Sequence, residues 1–121
     1  MISLKLLKNS FHYALEGFQF AWKNDQNIRI HTLAAILVIA LGVVLRVDSI
    51  EMGILVAMIV LVMAAEMINT AIEKMVDLIT KEYNLDAKVA KDVSSAMVLT
   101  VAIGAAFTGI YIFAPYLLNL L

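Results

Sequence analysis

Residues 52–77 read MGILVAMIVLVMAAEMINTAIEKMVD, and this stretch decides the fold. Its first fourteen residues, Met52–Ala65, carry no charge, and Glu66 follows them directly. A second uncharged run of fourteen residues covers Thr32–Leu45, and a third run covers Val93–Leu121. Fourteen residues make only about 21 Å of helix, whereas the core of a bilayer is about 30 Å thick. Helices that cross a membrane here must therefore carry flanking polar residues into it or close to it.

The composition of the 121-residue chain points to the same class of protein. Hydrophobic residues make up 63% of the chain and charged residues 16%, against an apolar content of about 45–50% in soluble domains. A chain of this length could not hide so much apolar surface inside a soluble core. The net charge of −1 provides no basic field for a nucleic acid, and the lack of cysteine excludes disulfides and thiol chemistry. We therefore expect an all-α integral membrane protein.

The N-terminal segment differs from the apolar runs because its large apolar residues fall on one side. Leucine, phenylalanine and tryptophan recur at spacings of three and four between Leu4 and Trp22, with lysine, glutamate and amide residues between them. This pattern predicts an amphipathic helix over about 3–24. The helix is too polar to span a bilayer, so we expect it to lie on the membrane surface with Trp22 at headgroup level. Packing against other protein is the alternative.

Three transmembrane helices are expected after this surface helix, within a single domain over 1–121. We place them at about 29–47, 50–79 and 91–118, with a polar loop at about 80–89. Pro115 predicts a kink or the end of the last helix. Small residues on that helix suit close packing against a neighbouring helix.

The lysine and arginine residues predict the topology. Eight of the nine lie at or before the start of the first span, or around the loop that joins the second and third spans, and only Arg46 lies by the turn between the first and second. Positive charge is enriched in cytoplasmic loops of membrane proteins. The N-terminus and the second loop are therefore expected in the cytoplasm, and the C-terminus outside.

The most informative polar pattern follows the third apolar stretch. Glu66, Asn69, Glu73 and Asp77 stand at positions i, i+3, i+7 and i+11, so a helix places them in one stripe about 80° wide. Ionisable groups at membrane depth usually face the interior of a bundle or a water-filled site. Carboxylates so close together favour a bound cation, and hard oxygens suit Mg²⁺ together with phosphate oxygens. The alternative is that the stripe is only the solvated end of the span.

Two further polar clusters lie on the expected cytoplasmic side. Lys91 and Asp92 stand with Ser94 and Ser95 at the start of the last span, where a lysine could bind phosphate or simply snorkel to the interface. Asp25 follows the surface helix, and such a residue could be a turn or cap residue.

Other motifs are absent or uninformative. His12 and His31 lack the spacing of metal ligands and are interpreted as interfacial or satisfied histidines. There is no glycine-rich phosphate loop and no dinucleotide-binding fingerprint. Nucleotide chemistry in this chain would therefore need an unfamiliar kind of site.

The residues from Phe11 to Pro115 resemble the small bacterial integral-membrane lipid kinases, the diacylglycerol kinase and undecaprenol kinase family. The specific parts are Glu66–Asp77 (EMINTAIEKMVD) and Ala90–Ala96 (AKDVSSA). Ala14–Gly17 and Trp22–Asp25 are similar to the N-terminal helix of that family.

This resemblance implies phosphoryl transfer from Mg-ATP to a lipid hydroxyl, in a homotrimer that shares its sites between subunits. By position it implies a general base at Glu66, substrate positioning by Asn69 and Ser95, metal binding by Glu73 and Asp25, and nucleotide binding by Tyr13, Asp77, Lys91 and Asp92. Asp25 stands where the family usually has glutamate. Its side chain is shorter by one methylene, so binding of the metal through a water is the alternative to direct ligation. Undecaprenol is the favoured acceptor because Asn27–His31 and Ile112–Pro115 look like the Gram-positive type branch, and diacylglycerol is the next.

Two other functions remain open from the residues alone. One is a small oligomeric transporter or channel that uses Glu66 as a proton or ion site. The other is a packing subunit without catalytic activity. A kinase needs Asp77 and the Lys91–Asp92 pair, whereas a transporter does not.

Overall fold

The computed structural model describes residues 1–121 as four α-helices and no strand, which confirms the all-α class. The helices are α1 (Leu4–Asn24), α2 (Gln26–Val44), α3 (Ser49–Ile79) and α4 (Leu85–Leu118). α2, α3 and α4 are each long and apolar enough to cross a membrane. At about 1.5 Å per residue, α3 and α4 exceed the ~30 Å of a bilayer core by a wide margin. Their polar ends therefore extend beyond the apolar layer that the three helices share.

α1 and α2 meet at a one-residue corner formed by Asp25. The backbone of Asp25 is extended, and its N–H donates to the carbonyl of Ala21 to end α1. Its Oδ1 accepts a hydrogen bond of 2.8 Å from the N–H of Asn27 and so begins α2. The guanidinium of Arg29 donates to the carbonyl of Trp22 at 2.9 Å. These contacts satisfy the exposed backbone groups on both sides of the corner and set its angle.

The turn from α2 to α3 is a Schellman motif. The N–H of Arg46 donates to the carbonyl of Val43, and the N–H of Val47 donates to the carbonyl of Gly42. Arg46 has a φ of 53°, a left-handed conformation in which glycine is the usual residue. The side chain of Asp48 then caps α3. The tight turn brings α3 back antiparallel to α2.

α3 and α4 form the longest helix pair and also run antiparallel. Near the α2–α3 turn, Leu55 packs with Ile112 and Phe113 in a buried apolar cluster. At the same end, the hydroxyl of Tyr116 donates to Glu51 at 2.6 Å and accepts from the N–H of Asp48 at 3.1 Å. These contacts set the register that carries through to the polar ends of both helices.

The start of α4 differs from the expected one, whereas its last residue, Leu118, coincides with the expected end of the last span. The helix begins at Leu85, inside the segment predicted to be a loop, because the side chain of Asn84 accepts from the N–H of Ala87 and caps it. It also continues through Pro115 to Leu118. Lys91 and Ser94 therefore stand well inside a continuous helix rather than at its start.

Little of the chain is buried by its own fold. Only 12 of the 121 residues are buried, and many large apolar side chains on all four helices are exposed. Exposed apolar surface on this scale needs lipid or other protein around it. The fold is therefore that of a membrane protein, as the three apolar helices indicate.

Candidate active site

The predicted polar stripe of α3 faces the interior of the helix bundle. Glu66 is 1% exposed and Asn69 is 5% exposed, and Ser94 of α4 is the third buried polar residue at 4%. All three lie where the apolar part of the bundle gives way to its polar end. Glu66 stands about 26 Å along α3 from Ser49, which is close to the thickness of a bilayer core.

Glu66 is the most buried large side chain of the protein, and neither of its carboxylate oxygens has a hydrogen-bond partner. The Nε2 atom of His31, on α2, lies 3.2 Å from Oε1 without the alignment of a hydrogen bond. Burying a carboxylate costs several kcal/mol unless it is paired and hydrogen-bonded. A buried group left unsatisfied in this way indicates a functional rather than a structural role.

Asn69 connects Glu66's helix to α4. The hydroxyl of Ser94 donates to Oδ1 of Asn69 at 2.6 Å, and both groups are buried. The amide nitrogen of Asn69 points the other way and donates to Oε1 of Glu73 at 3.4 Å. Ser94 therefore orients the amide of Asn69 toward the next carboxylate of the stripe.

Asp25 is brought to the same place from the α1–α2 corner. Its Oδ2 accepts a hydrogen bond of 2.8 Å from the hydroxyl of Thr70, which also lies 3.0 Å from the carbonyl of Glu66. Asp25 therefore caps α2, as the structural alternative to metal binding predicted. It also lies beside the polar stripe of α3. One loop carboxylate and two helix carboxylates, Glu66 and Glu73, now share one end of the bundle.

A second polar group lies farther along α3 and α4. Lys91 donates to Oδ1 of Asp77 at 2.6 Å, and both side chains are partly exposed. An open recess beside Asp77 is lined by Lys74 and Lys81 as well. Three lysines around one carboxylate give this end of the site a cationic character that suits phosphate groups.

Three of the predicted site residues lie apart from these contacts. Tyr13 is exposed on α1, beside the ring of His12. Asp92 forms an exposed ion pair with Lys88, one turn earlier on α4. Ser95 is exposed and makes no side-chain hydrogen bond, whereas Ser94 faces Asn69.

The structure also adds residues that the sequence did not assign to the site. His31 approaches Glu66 from α2, and Thr70 joins Asp25 to α3. Thr70 stands four residues after Glu66 and so shares its helix face, a signal that was available in the sequence. No spacing in the sequence indicates that His31 lies beside Glu66, because this contact depends on how α2 packs against α3.

An apolar groove leads to this polar cluster from the membrane-embedded part of the bundle. It encloses about 590 Å³ between α2, α3 and α4, and 17 of its 19 lining residues are hydrophobic. Val38, Val62 and Phe113 are among them, and His31 is its one polar side chain. His31 therefore lies between the apolar groove and the carboxylate of Glu66.

Carboxylates and an amide are the donors that Mg²⁺ prefers when phosphate oxygens complete its coordination. Asp25 and Glu73 fit that requirement in chemical type. Within one chain, however, no three histidine, aspartate or glutamate side chains gather in an arrangement that could hold a metal ion. The protein side chains alone do not form a closed cation site, which is usual where Mg²⁺ is held largely through substrate phosphates.

Comparison with known proteins identifies the family of this chain. Residues 12–113 match the family model described as prokaryotic diacylglycerol kinase. A diacylglycerol kinase of Synechocystis is 38% identical over 93% of this chain, which spans 65% of that protein's length. A diacylglycerol kinase of Escherichia coli is 38% identical over 79% of each chain. An undecaprenol kinase of Bacillus subtilis is 34% identical over 89% of this chain and 88% of its own length. The chain therefore belongs to the prokaryotic diacylglycerol kinase family, a family of membrane lipid kinases.

Proposed function

We propose that this protein transfers the γ-phosphoryl group of Mg-ATP to the hydroxyl of a membrane lipid alcohol. The observation that carries the proposal is the buried, unsatisfied carboxylate of Glu66 at the junction of an apolar groove and a polar, partly cationic helix end. A lipid hydroxyl would approach this carboxylate from the groove beside His31, and a nucleotide would approach it from the aqueous side.

In the proposed reaction, Glu66 accepts the proton of the lipid hydroxyl. The hydroxyl oxygen bonds to the γ-phosphorus while the bond from that phosphorus to the β,γ-bridging oxygen breaks, and ADP leaves. Phosphoryl transfer of this kind depends mainly on positioning and on neutralising charge. The low exposure of Glu66 keeps water away from the group that must accept the proton.

Asn69 is proposed to position the reacting groups, and Ser94 to hold its amide in orientation. Glu73 and Asp25 would hold Mg²⁺, Asp25 through the oxygen that Thr70 now contacts or through a water. When bound, Mg²⁺ would neutralise charge on the phosphates of ATP. Glu73 lies about 10 Å along α3 from Glu66, so the metal ligand stands nearer the aqueous end than the base.

The nucleotide is proposed to bind at the end of α3 and α4 that carries Lys91 and Asp77. Lys91 would donate a hydrogen bond to a phosphate oxygen as well as to Asp77. Asp92, the next residue of α4, would make a second contact to the nucleotide. Tyr13 would contact the nucleotide from α1, and Ser95 the substrate from α4. Both side chains are exposed, so they are free to meet substrate or a neighbouring subunit.

Undecaprenol is the proposed acceptor, with diacylglycerol next. The groove offers hydrophobic side chains and one histidine. Diacylglycerol would bring two ester groups that need hydrogen-bond partners close to the reacting hydroxyl, whereas a polyprenol brings only the hydroxyl on a hydrocarbon chain. The resemblance of Asn27–His31 to the undecaprenol kinase branch supports the same choice.

We further propose that the protein works as a homotrimer with its N-terminus and second loop in the cytoplasm. One chain buries few of its residues and leaves Asp77 and Lys91 partly exposed, so neighbouring subunits would cover them. The placement of lysine and arginine supports the orientation, and α1 would lie on the cytoplasmic surface of the inner membrane. A transporter that uses Glu66 as an ion site is not favoured, because the chain belongs to a kinase family.

The deciding experiment uses the purified full chain in detergent with radiolabelled ATP, Mg²⁺ and one lipid alcohol at a time. We expect labelled lipid phosphate, formed with a higher kcat/KM from undecaprenol than from diacylglycerol. Glu66→Gln should abolish turnover and leave Mg-ATP binding intact, because the amide cannot accept the proton. Absence of product with every alcohol would refute the proposed kinase. Near-normal turnover of Glu66→Gln would remove Glu66 from the role of base.

A further inference from the structure

The histidine beside Glu66 stands in an unusual position for a side chain with no assigned role. Nε2 of His31 lies 3.2 Å from Oε1 of Glu66, and the His31 side chain is only 25% exposed. It is also the one polar side chain that lines the apolar groove. The imidazole of His31 therefore connects the groove to the carboxylate of Glu66.

From this geometry we propose that His31 is a positioning residue for the base, a proposal that rests on the proposed kinase function. The imidazole would hold Oε1 of Glu66 and leave Oε2, which has no partner in the free protein, to accept the proton of the lipid hydroxyl. Neither oxygen has another hydrogen-bond partner, so without His31 the three side-chain torsions of Glu66 are restrained only by packing. A general base that is oriented by a third group is a common arrangement in enzymes that activate a hydroxyl.

The contact lacks hydrogen-bond alignment in the free protein, but its distance is already within hydrogen-bond range. Catalytic hydrogen bonds are often poorly aligned in the free enzyme and tighten when substrate binds. The position also places His31 away from the phosphates, because Lys91 and Asp77 mark the opposite, aqueous end of the site. His31 should therefore influence the chemical step on the acceptor and leave nucleotide binding unchanged.

The test compares His31→Leu and His31→Gln with the wild type as full chains in detergent. His31→Leu should lower kcat about 10- to 100-fold, the range expected for loss of one hydrogen bond to a charged group. The KM for Mg-ATP should change by less than about twofold. His31→Gln should recover most of kcat, because a glutamine amide can reach the position of Nε2. Thermal unfolding midpoints should be similar for the two variants.

His12→Leu provides a matched control. His12 Nε2 lies 3.3 Å from Glu16, so it makes the same type of contact, but both side chains are exposed on α1. This variant should keep wild-type kcat. If His31→Leu is not recovered as folded protein, His31→Met takes its place with the same expectation.

The outcomes separate this proposal from the proposed function. A wild type that makes no lipid phosphate overturns both. An active wild type with kcat for His31→Leu within about twofold of it overturns only the positioning role. Equal losses in His31→Leu and His31→Gln, accompanied by lower thermal stability in both, also overturn it, since that result indicates a purely structural histidine.

Discussion

Replacing Ser94 by alanine tests whether the hydrogen bond between α4 and Asn69 organises the site. The substitution removes the donor of a 2.6 Å hydrogen bond and leaves Oδ1 of Asn69 buried without a partner. Such a loss costs about 1–3 kcal/mol in proteins generally, and about 0.6–2 kcal/mol between helices in a membrane. We therefore expect the free energy of unfolding to fall by about 1–2 kcal/mol. Because the amide of Asn69 is then free to rotate away from Glu73, kcat should fall about 5- to 30-fold.

Ser95→Ala is the matched comparison, because Ser95 is the adjacent residue on the same helix. Ser95 is exposed and its hydroxyl makes no hydrogen bond within the chain. Alanine favours the helix over serine by a similar amount at both positions, so the difference between the variants isolates the hydrogen bond. We expect the free energy of unfolding of Ser95→Ala to stay within about 0.5 kcal/mol of the wild type.

The assay combines two measurements on purified full-length protein in detergent. Thermal unfolding followed by circular dichroism compares stability, and formation of radiolabelled lipid phosphate at saturating Mg-ATP compares kcat. The reasoning is refuted if Ser94→Ala keeps the stability and turnover of the wild type, or if Ser95→Ala lowers stability more than Ser94→Ala does. A loss of turnover in Ser95→Ala at wild-type stability would reflect the substrate contact proposed for Ser95 and does not bear on the Ser94–Asn69 hydrogen bond.

Further substitutions test the metal ligand, the nucleotide end and the helix turn. Glu73→Ala should raise the Mg²⁺ concentration needed for half-maximal activity, or abolish activity, because a metal ligand is lost; an unchanged Mg²⁺ titration would contradict ligation. Lys91→Met should raise the KM for ATP about tenfold or more through loss of a charge-assisted contact to phosphate. Its stability should stay close to that of the wild type, because the ion pair of Lys91 with Asp77 is partly exposed. An unaltered KM would exclude Lys91 from the nucleotide site. Arg46→Gly should raise the free energy of unfolding by about 0.5–1 kcal/mol, since glycine adopts the left-handed conformation of the turn without strain. A lower thermal midpoint would show that the arginine side chain stabilises the turn.

Much of the architecture was predictable because it depends on local sequence. Uncharged runs predicted three helices that can cross a membrane, and the structure contains them. The start of α4 was missed because a single side chain, that of Asn84, caps a helix whose first turns are polar. A polar composition is typical of a loop as well as of an exposed helix turn. Only the capping contact of Asn84 shows that this segment is helical.

The sequence alone determined that Glu66, Asn69, Glu73 and Asp77 share one face of a helix. That conclusion needs only the helical repeat, which is the same wherever the helix lies. It also determined the class of the protein, because the amount of apolar surface is a property of composition.

Only the tertiary structure decided which groups meet across helices. Ser94 and Ser95 differ by about 100° around α4, and the rotation of that helix selects Ser94 to contact Asn69. The approach of His31 to Glu66 likewise depends on the register of α2 against α3. Rotation and register are set by apolar packing far from the site, such as that of Leu55 against Phe113. That packing depends on the shapes of distant side chains fitting together, which no local pattern of residues encodes.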